Sequence, residues 1–127
     1  MKRSVSEHIY KALTSSDAIV EKVGMNIYPI ATKSEVKFPF IVYERENVVT
    51  RYDKSGPSSA DIDESIYVLS ESYSESEEIA QLVIDRLERQ NAKYEDFEVI
   101  GAVVNDVPEN YISQTYVQQI RMRFTIK

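Results

Sequence analysis

The sequence predicts one α+β domain over residues 1–127, a mainly antiparallel sheet of about four or five strands backed by helices. Apolar residues recur at helical spacing in the N-terminal third and again after residue 73, whereas the other long segments alternate as strands do. A hydrophobic fraction of 43% in 127 residues is enough to build one core. The predicted order of elements is α-α-β-β-β-α-β-β.

Two helices are predicted before residue 25. The first ends near Ser15; the second begins at residues 16–17 and ends at Gly24, because glycine tolerates the positive φ of a C-terminal cap. The residues that predict the first helix are Val5, Ile9, Ala12 and Leu13 on one face, with Ser4 or Ser6 as the N-cap. In the second helix, Ile19 and Val23 are expected to point inward.

Three strands and a long loop are expected in the middle of the chain. Residues 26–29 form a short edge strand, followed by a polar loop at 31–37 and by central strands at 40–50 and 62–70. Residues 52–61 concentrate Gly, Pro, Ser and Asp, which favour turns. We therefore predict a mobile loop there, joining the two central strands into a long hairpin.

A third helix is predicted from a capping box, in which the Ser74 side chain bonds to the Glu77 amide and the Glu77 side chain returns to the Ser74 amide. Its inward stripe consists of Ile79, Leu82, Val83, Arg86 and Leu87, and the helix fades near Asn91. The remaining elements are a strand at 98–105 with Gly101 as a candidate bulge, a turn at 106–110 and a last strand at 116–126.

Charge and composition exclude several classes of function. A net charge of −6 without a dense Lys or Arg cluster excludes specific nucleic-acid binding. No apolar run approaches the roughly 20 residues of a membrane span, and no signal peptide follows Met1, so we expect a cytosolic protein without membrane contact. The absence of cysteine removes disulfides, thiol nucleophiles and thiolate metal sites.

No catalytic residue, metal site or cofactor site is predicted. His8 is the only histidine, and no G-x-S-x-G motif supplies a serine for a triad, so we interpret it as a surface or half-buried residue. Asp61 and Asp63 could share a strand face and bind a hard cation. Together with Glu64, however, they lack the glycine and distal glutamate of an EF-hand loop, which favours a solvated hairpin stem.

The nine tyrosines, without any tryptophan, are typical of a protein with partly buried subunit contacts. Packing in the sheet explains Tyr43, Tyr67 and Tyr116, whereas the loop tyrosines are the stronger interface candidates. Two arginines of the last strand either meet an acidic partner or discourage unwanted strand pairing. The predicted interface residues are Arg51, Tyr52, Asp53, Ser55, Gly56, Pro57, Ser58, Ser59, Tyr73, Tyr111, Arg121 and Arg123.

Several short motifs follow one another in a fixed order along the chain. They are residues 19–24, 26–29 and 38–43, then Tyr73 with Ile79, Ala80, Val83 and Leu87, the acidic turn at 106–110, Tyr116 and residues 124–126. In order and spacing they resemble the tail-completion, or tail-terminator, family of long-tailed bacteriophages and prophages over nearly the whole chain. The chain departs from the family in the long serine-rich loop after Thr50 and in its few glycines.

The resemblance implies a structural subunit without an active site that assembles with itself as a ring of about six copies. It implies two further partners, the tail tube protein and the head connector or completion protein. The expected location is the host cytoplasm during assembly and the virion neck or tail afterwards. DNA would pass through the ring, whose negative charge suppresses adhesion. We expect the loop at 51–61 to dock on a partner, so that deleting residues 55–59 leaves folding intact and abolishes joining.

Three alternatives remain open from the sequence. The chain could be a head-completion or connector-adaptor protein of the phage neck, one ring nearer the capsid. It could also be an interaction module unrelated to phages, and a gene located outside any phage gene cluster would favour this alternative. A small enzyme working through carboxylates and tyrosines would be favoured by a deep polar pocket with two strongly perturbed titratable groups.

Overall fold

The computed structural model describes residues 3–30 and 36–127, and it confirms the predicted α+β class. The helices are α1 (Ser6–Thr14), α2 (Asp17–Val23) and α3 (Tyr73–Leu87). The strands are β1 (Ile27–Pro29), β2 (Phe40–Asp53), β3 (Gly56–Ser70), β4 (Ala92–Lys93), β5 (Glu98–Asp106), β6 (Glu109–Ile112) and β7 (Thr115–Ile126). The predicted polar loop at 31–37 lies largely outside the described residues.

The described residues form a sheet of seven strands rather than four or five, because two short strands leave no pattern in the sequence. β4 contains two residues, and all four residues of β6 are exposed. A strand without a buried face shows no apolar alternation, so periodicity cannot reveal it. Four strands therefore follow α3 instead of the predicted two, and the predicted turn at 106–110 is shorter because β6 begins inside it.

β7 lies in the interior of the sheet, whose strand order is β1-β2-β3-β7-β5-β4 with β6 beside the first part of β7. The pairs are antiparallel except β1 with β2, which are parallel. The predicted alternation of the last strand is confirmed, since Ile120, Met122 and Phe124 are fully buried. The pairing of β5 with β7 is irregular between Val99 and Gly101, as predicted.

The predicted mobile loop at 52–61 is wrong, because β2 and β3 continue through it as a paired hairpin. Asp53 pairs with Gly56, which leaves Lys54 and Ser55 as the turn. The Asp53 side chain accepts a hydrogen bond from the Ser55 amide at 2.8 Å, and Gly56 has a φ of 117°, a conformation that favours glycine. The turn-forming residues thus shape a tight tip, not a long loop.

The core lies between the helices and one face of the sheet, called the helix face. Its fully buried helix residues are Ile9, Leu13, Ile19, Ile79, Val83 and Leu87, and those of the strands include Ile41, Ile62, Ile66, Phe124 and Ile126. Each such side chain stabilises the fold by roughly 1.5–3 kcal/mol. Arg86, predicted in the inward stripe of α3, is instead exposed and donates to the Ala12 carbonyl and the Ser15 hydroxyl, both at 2.8 Å.

The helix caps follow the prediction in α2 but not in α1 or α3. In α2 the Ser16 hydroxyl accepts from the Ile19 amide, and Gly24 ends the helix with a φ of 63°. Val5 occupies the N-cap of α1, so neither Ser4 nor Ser6 caps it. The third helix, α3, is capped two residues earlier than the predicted capping box. Its N-cap is Ser72, which accepts from the Glu75 amide at 3.4 Å, because residues 72–75 repeat the serine-to-glutamate spacing of residues 74–77.

Candidate assembly interface

The predicted interface residues lie in three places on the sheet. One group forms the hairpin tip, residues 51–59, where β2 and β3 extend past the rest of the sheet. Tyr73 and Tyr111 lie beyond the other end of β3, near the start of β7. Arg121 and Arg123 lie on the outer face, the sheet face turned away from the helices.

The hairpin tip projects because the pairing of β3 with β7 starts only at Ala60, opposite Ile126. The tip is ordered by its own side chains: Arg51 Nε donates to the Ser59 hydroxyl at 3.0 Å, and the Ser58 hydroxyl donates to the Arg51 carbonyl at 3.2 Å. Tyr52 is 67% exposed. The tip thus offers a polar ribbon with one large uncovered aromatic side chain.

Ion pairs cross the outer face from β2 to β5. Arg51 grips both carboxylate oxygens of Asp61 at 2.8 and 3.0 Å, and Arg123 grips those of Asp63 at 2.8 and 3.2 Å. The Arg51 guanidinium holds the pKa of Asp61 below its usual range. Because these pairs are half-exposed and screened by solvent, each contributes little to stability, but together they fix side chains that would otherwise be free.

The acidic run at the stem of the hairpin takes part in these outer-face pairs. Asp61 and Asp63 do share one face, yet each already binds an arginine. Within residues 3–30 and 36–127, no group of three or more acidic or histidine side chains is placed to hold a metal ion. Arg121 likewise pairs with Asp106 at 3.3 Å. The arginines of β7 are therefore engaged within their own chain, and whether they also meet a partner stays a prediction.

Tyr73 and Tyr111, which are far apart in the sequence, meet through Tyr116. The ring centroids are 5.5 Å apart for Tyr73 with Tyr116 and 4.6 Å apart for Tyr111 with Tyr116. We call these three residues the tyrosine cluster. Glu109 adjoins it, and its carboxylate accepts a hydrogen bond from Gln118 Nε2 at 2.7 Å. Bonding to Glu109 raises the pKa of Tyr73 to about 12.

His8 is buried rather than half-buried, and it contacts two aromatic side chains. Its Nδ1 lies 2.8 Å from the Tyr94 hydroxyl, and its ring meets Phe124 edge-on with centroids 5.9 Å apart. Burial, with a smaller effect of Arg86, lowers the pKa of His8. In the described hydrogen bonds of this side chain, neither a serine nor a carboxylate takes part.

Glu64 is an unusual residue that sequence reasoning missed. It is 2% exposed, and among the described residues neither carboxylate oxygen has a hydrogen-bond partner. Burial raises the pKa of Glu64 from its ordinary value of 4.5 to about 7. The signal was present in the sequence, because Glu64 lies between Ile62 and Ile66 at strand spacing and so must share their buried face.

A cleft of about 360 Å³ lies between the segment before α1 and the start of the sheet. Its lining residues are Ser4, Ser6, Pro29, Ile30, Tyr43, Glu44 and Arg45. Glu64 is not among these lining residues. Among the described helices, none is both long and apolar enough to cross a membrane.

Both the sequence and the fold match those of known proteins. The profile of the family described as "Tail completion protein gp17" matches residues 7–127. A chain in the solved structure described as "Virion of native gene transfer agent (GTA) particle" superposes with a TM-score of 0.82 at 16% sequence identity, covering 93% of this chain and 90% of that chain. At this identity the likeness shows a shared fold. No curated protein matches the sequence at a significant level.

Proposed function

The chain belongs to the tail completion protein family, and from this we propose that it is a non-enzymatic tail-completion subunit of a phage, prophage or phage-like particle. In this proposal it assembles with itself as a ring of about six copies on the last ring of the tail tube. The ring stops growth of the tube and joins the tail to the head connector, first in the host cytoplasm and then as part of the virion neck.

The observation that supports this most strongly is the extent of the family match. It runs from the second residue of α1 to the residue after β7, so the whole described sheet and its helices belong to the matched region. The fold shared with a chain of a gene transfer agent virion supports a place in a particle of that kind. The net charge of −6 suits a passage that DNA must cross without adhering.

The shape of the molecule is compatible with a ring because the two ends of its sheet differ. The hairpin tip projects at one end, and the tyrosine cluster lies at the other. A contact between unlike surfaces, repeated around an axis, closes into a ring when the rotation allows it.

The hairpin tip is the surface that we assign to docking. A two-stranded ribbon in water is marginally stable alone, and its outer backbone edges can accept a further strand. Contact with a neighbouring subunit or with the tail tube would stabilise the ribbon and cover Tyr52, which is 67% exposed. The tip is thus suited to main-chain pairing plus one aromatic anchor.

Shortening the hairpin tests this assignment. Thr50 pairs directly with Ala60, so replacing residues 51–59 by an Asn-Gly turn keeps the register of the remaining hairpin. Purified protein would be added to an extract from cells that lack the gene, and infectious or gene-transferring particles would be counted. We expect the shortened variant to fold, with a melting temperature within about 5 °C of the wild type, and to join heads to tails at least about tenfold less efficiently.

The controls separate the assignment from the function itself. Lys22→Ala, which breaks a surface ion pair of α2 with Glu78, should join particles as well as the wild type. Full joining by the shortened variant would contradict the role of the tip. Failure of the wild-type protein to restore joining would contradict the proposed function. Incubating the protein first with isolated tails or with isolated heads tells a tail terminator from a head-completion protein.

A further inference from the structure

The tyrosine cluster and its carboxylates form a surface that the core does not need. Tyr73 is 41% exposed and Tyr111 is 57% exposed, although each packs against the half-buried Tyr116. Mutual packing holds the rings in place, so a ligand meets aromatic faces that lose little freedom on binding.

We propose that the tyrosine cluster, with Glu109 and Glu77, is a docking surface for an arginine-bearing segment of a different protein of the particle. The inference rests on the proposed function, because it names a partner surface of the same subunit.

The carboxylates supply the charge that such a segment requires. Glu109 is held by Gln118 Nε2 and by the Tyr73 hydroxyl, and these hydrogen bonds lower the pKa of Glu109, so it is ionised and oriented before any partner arrives. Glu77, four residues after Tyr73 in α3, adds a second carboxylate, whose negative charge also raises the pKa of Tyr73. A planar guanidinium can stack on a tyrosine face while it donates to a neighbouring carboxylate, which a lysine ammonium does less well.

The hairpin that carries Tyr111 and Tyr116 turns through two residues with positive φ, as two-residue β-hairpins commonly do. The turn between β6 and β7 consists of Ser113 and Gln114, with φ of 50° and 63°. Turns of this type strongly prefer Asn-Gly, since a side chain with positive φ costs energy. The turn fixes the register of β6 against β7, which places Tyr111 directly opposite Tyr116.

The arginines of this chain argue against a second copy as the occupant. Every described arginine except Arg89 already donates a side-chain hydrogen bond within its own chain. A basic segment from another protein would complement the carboxylates of this surface and the net charge of −6.

A titration of the full-length protein with a short arginine–glycine peptide, followed by amide NMR shifts, tests the proposal. We expect saturable shifts at Tyr73, Glu109 and Tyr111, and several-fold weaker binding of the matching lysine–glycine peptide. Glu109→Gln should weaken arginine binding about tenfold, and Tyr111→Ser about fivefold. Tyr10→Ser, which changes a tyrosine of α1 that is 41% exposed like Tyr73, is the matched control and should leave the dissociation constant unchanged.

Unsaturable shifts spread over all acidic residues, or unchanged affinity in Glu109→Gln, would overturn the proposal. Sedimentation of the same variants tests the other occupant, because loss of self-association in Tyr111→Ser would assign the surface to a second copy and also overturn it. The peptide titration needs no particle. Its failure therefore leaves the tail-completion role untouched, and a failure of that role would appear instead in the joining experiment.

Discussion

The side chain of Glu64 is buried among apolar residues, although a carboxylate is normally charged and exposed to water. Glu64 sits on the helix face of β3, opposite Arg45 on β2, yet Arg45 is exposed and donates to the Arg3 carbonyl at 2.8 Å. The buried carboxylate is therefore most stable when protonated. The folded protein holds this proton between about pH 4.5 and pH 7, where the unfolded chain releases it, so the free energy of unfolding falls as pH rises through that window.

Replacing Glu64 with glutamine should remove this pH dependence. Glutamine has the shape of a protonated glutamate but cannot ionise, so Glu64→Gln should raise the free energy of unfolding at pH 8 by on the order of 2–3 kcal/mol and change it little at pH 4. Urea unfolding over this pH range measures the effect. Glu21→Gln, at an exposed position of α2, is the control. An equal change at both pH values in Glu64→Gln would show that ionisation of this residue does not destabilise the fold.

At the scale of elements, the start of α3 gives a direct choice between two caps. The Ser72 hydroxyl accepts from the Glu75 amide, whereas the sequence offered Ser74 with equal spacing. Ser72→Ala should lower the free energy of unfolding by about 1 kcal/mol, seen as a fall of several degrees in melting temperature, and Ser74→Ala should change it much less. A larger fall in the free energy of unfolding in Ser74→Ala than in Ser72→Ala would show that Ser74 caps the helix, as the capping box predicted from the sequence requires.

The turn between β6 and β7 leads to the opposite kind of prediction, a gain in stability. Glycine adopts positive φ without steric cost, so Gln114→Gly should raise the free energy of unfolding by about 0.5–1 kcal/mol. Gln114→Ala keeps a Cβ atom and should not reproduce the gain. Thermal unfolding of the two variants side by side measures this. A loss of stability in Gln114→Gly would mean that a contact of the Gln114 side chain stabilises the fold by more than the glycine gains at positive φ.

The elements that could be predicted are those with a long buried stripe. α3 and β7 bury alternating or helically spaced side chains such as Val83, Leu87 and Phe124, so their periodicity is visible in the sequence. β6 buries no side chain, so the sequence predicts only a turn there. Around Gly56 the turn-forming residues outnumber the two that form the turn, so the sequence predicts a long loop instead of a hairpin. Strand pairing that depends mainly on backbone hydrogen bonds leaves little side-chain pattern, so it cannot be predicted from the local sequence.

At the scale of the whole molecule, the family and the fold class could be predicted, but the meeting of distant surface residues could not. Tyr73 and Tyr111 were separate interface candidates in the sequence, and only the pairing of β6 with β7 beside the start of α3 brings them together around Tyr116. The same topology puts the hairpin tip at the other end of the sheet. A subunit with different surfaces at its two ends is suited to closing a ring and also to contacting unlike neighbours along an axis.

The central claim, that this chain completes the tail, is tested most directly by electron microscopy of lysates in which its gene has been disrupted. The account predicts DNA-filled heads beside separate tails, some of them longer than normal because nothing stops the tube. Complementation with the wild-type gene should restore joined particles. Intact, joined and infectious particles in the absence of the gene would contradict the claim.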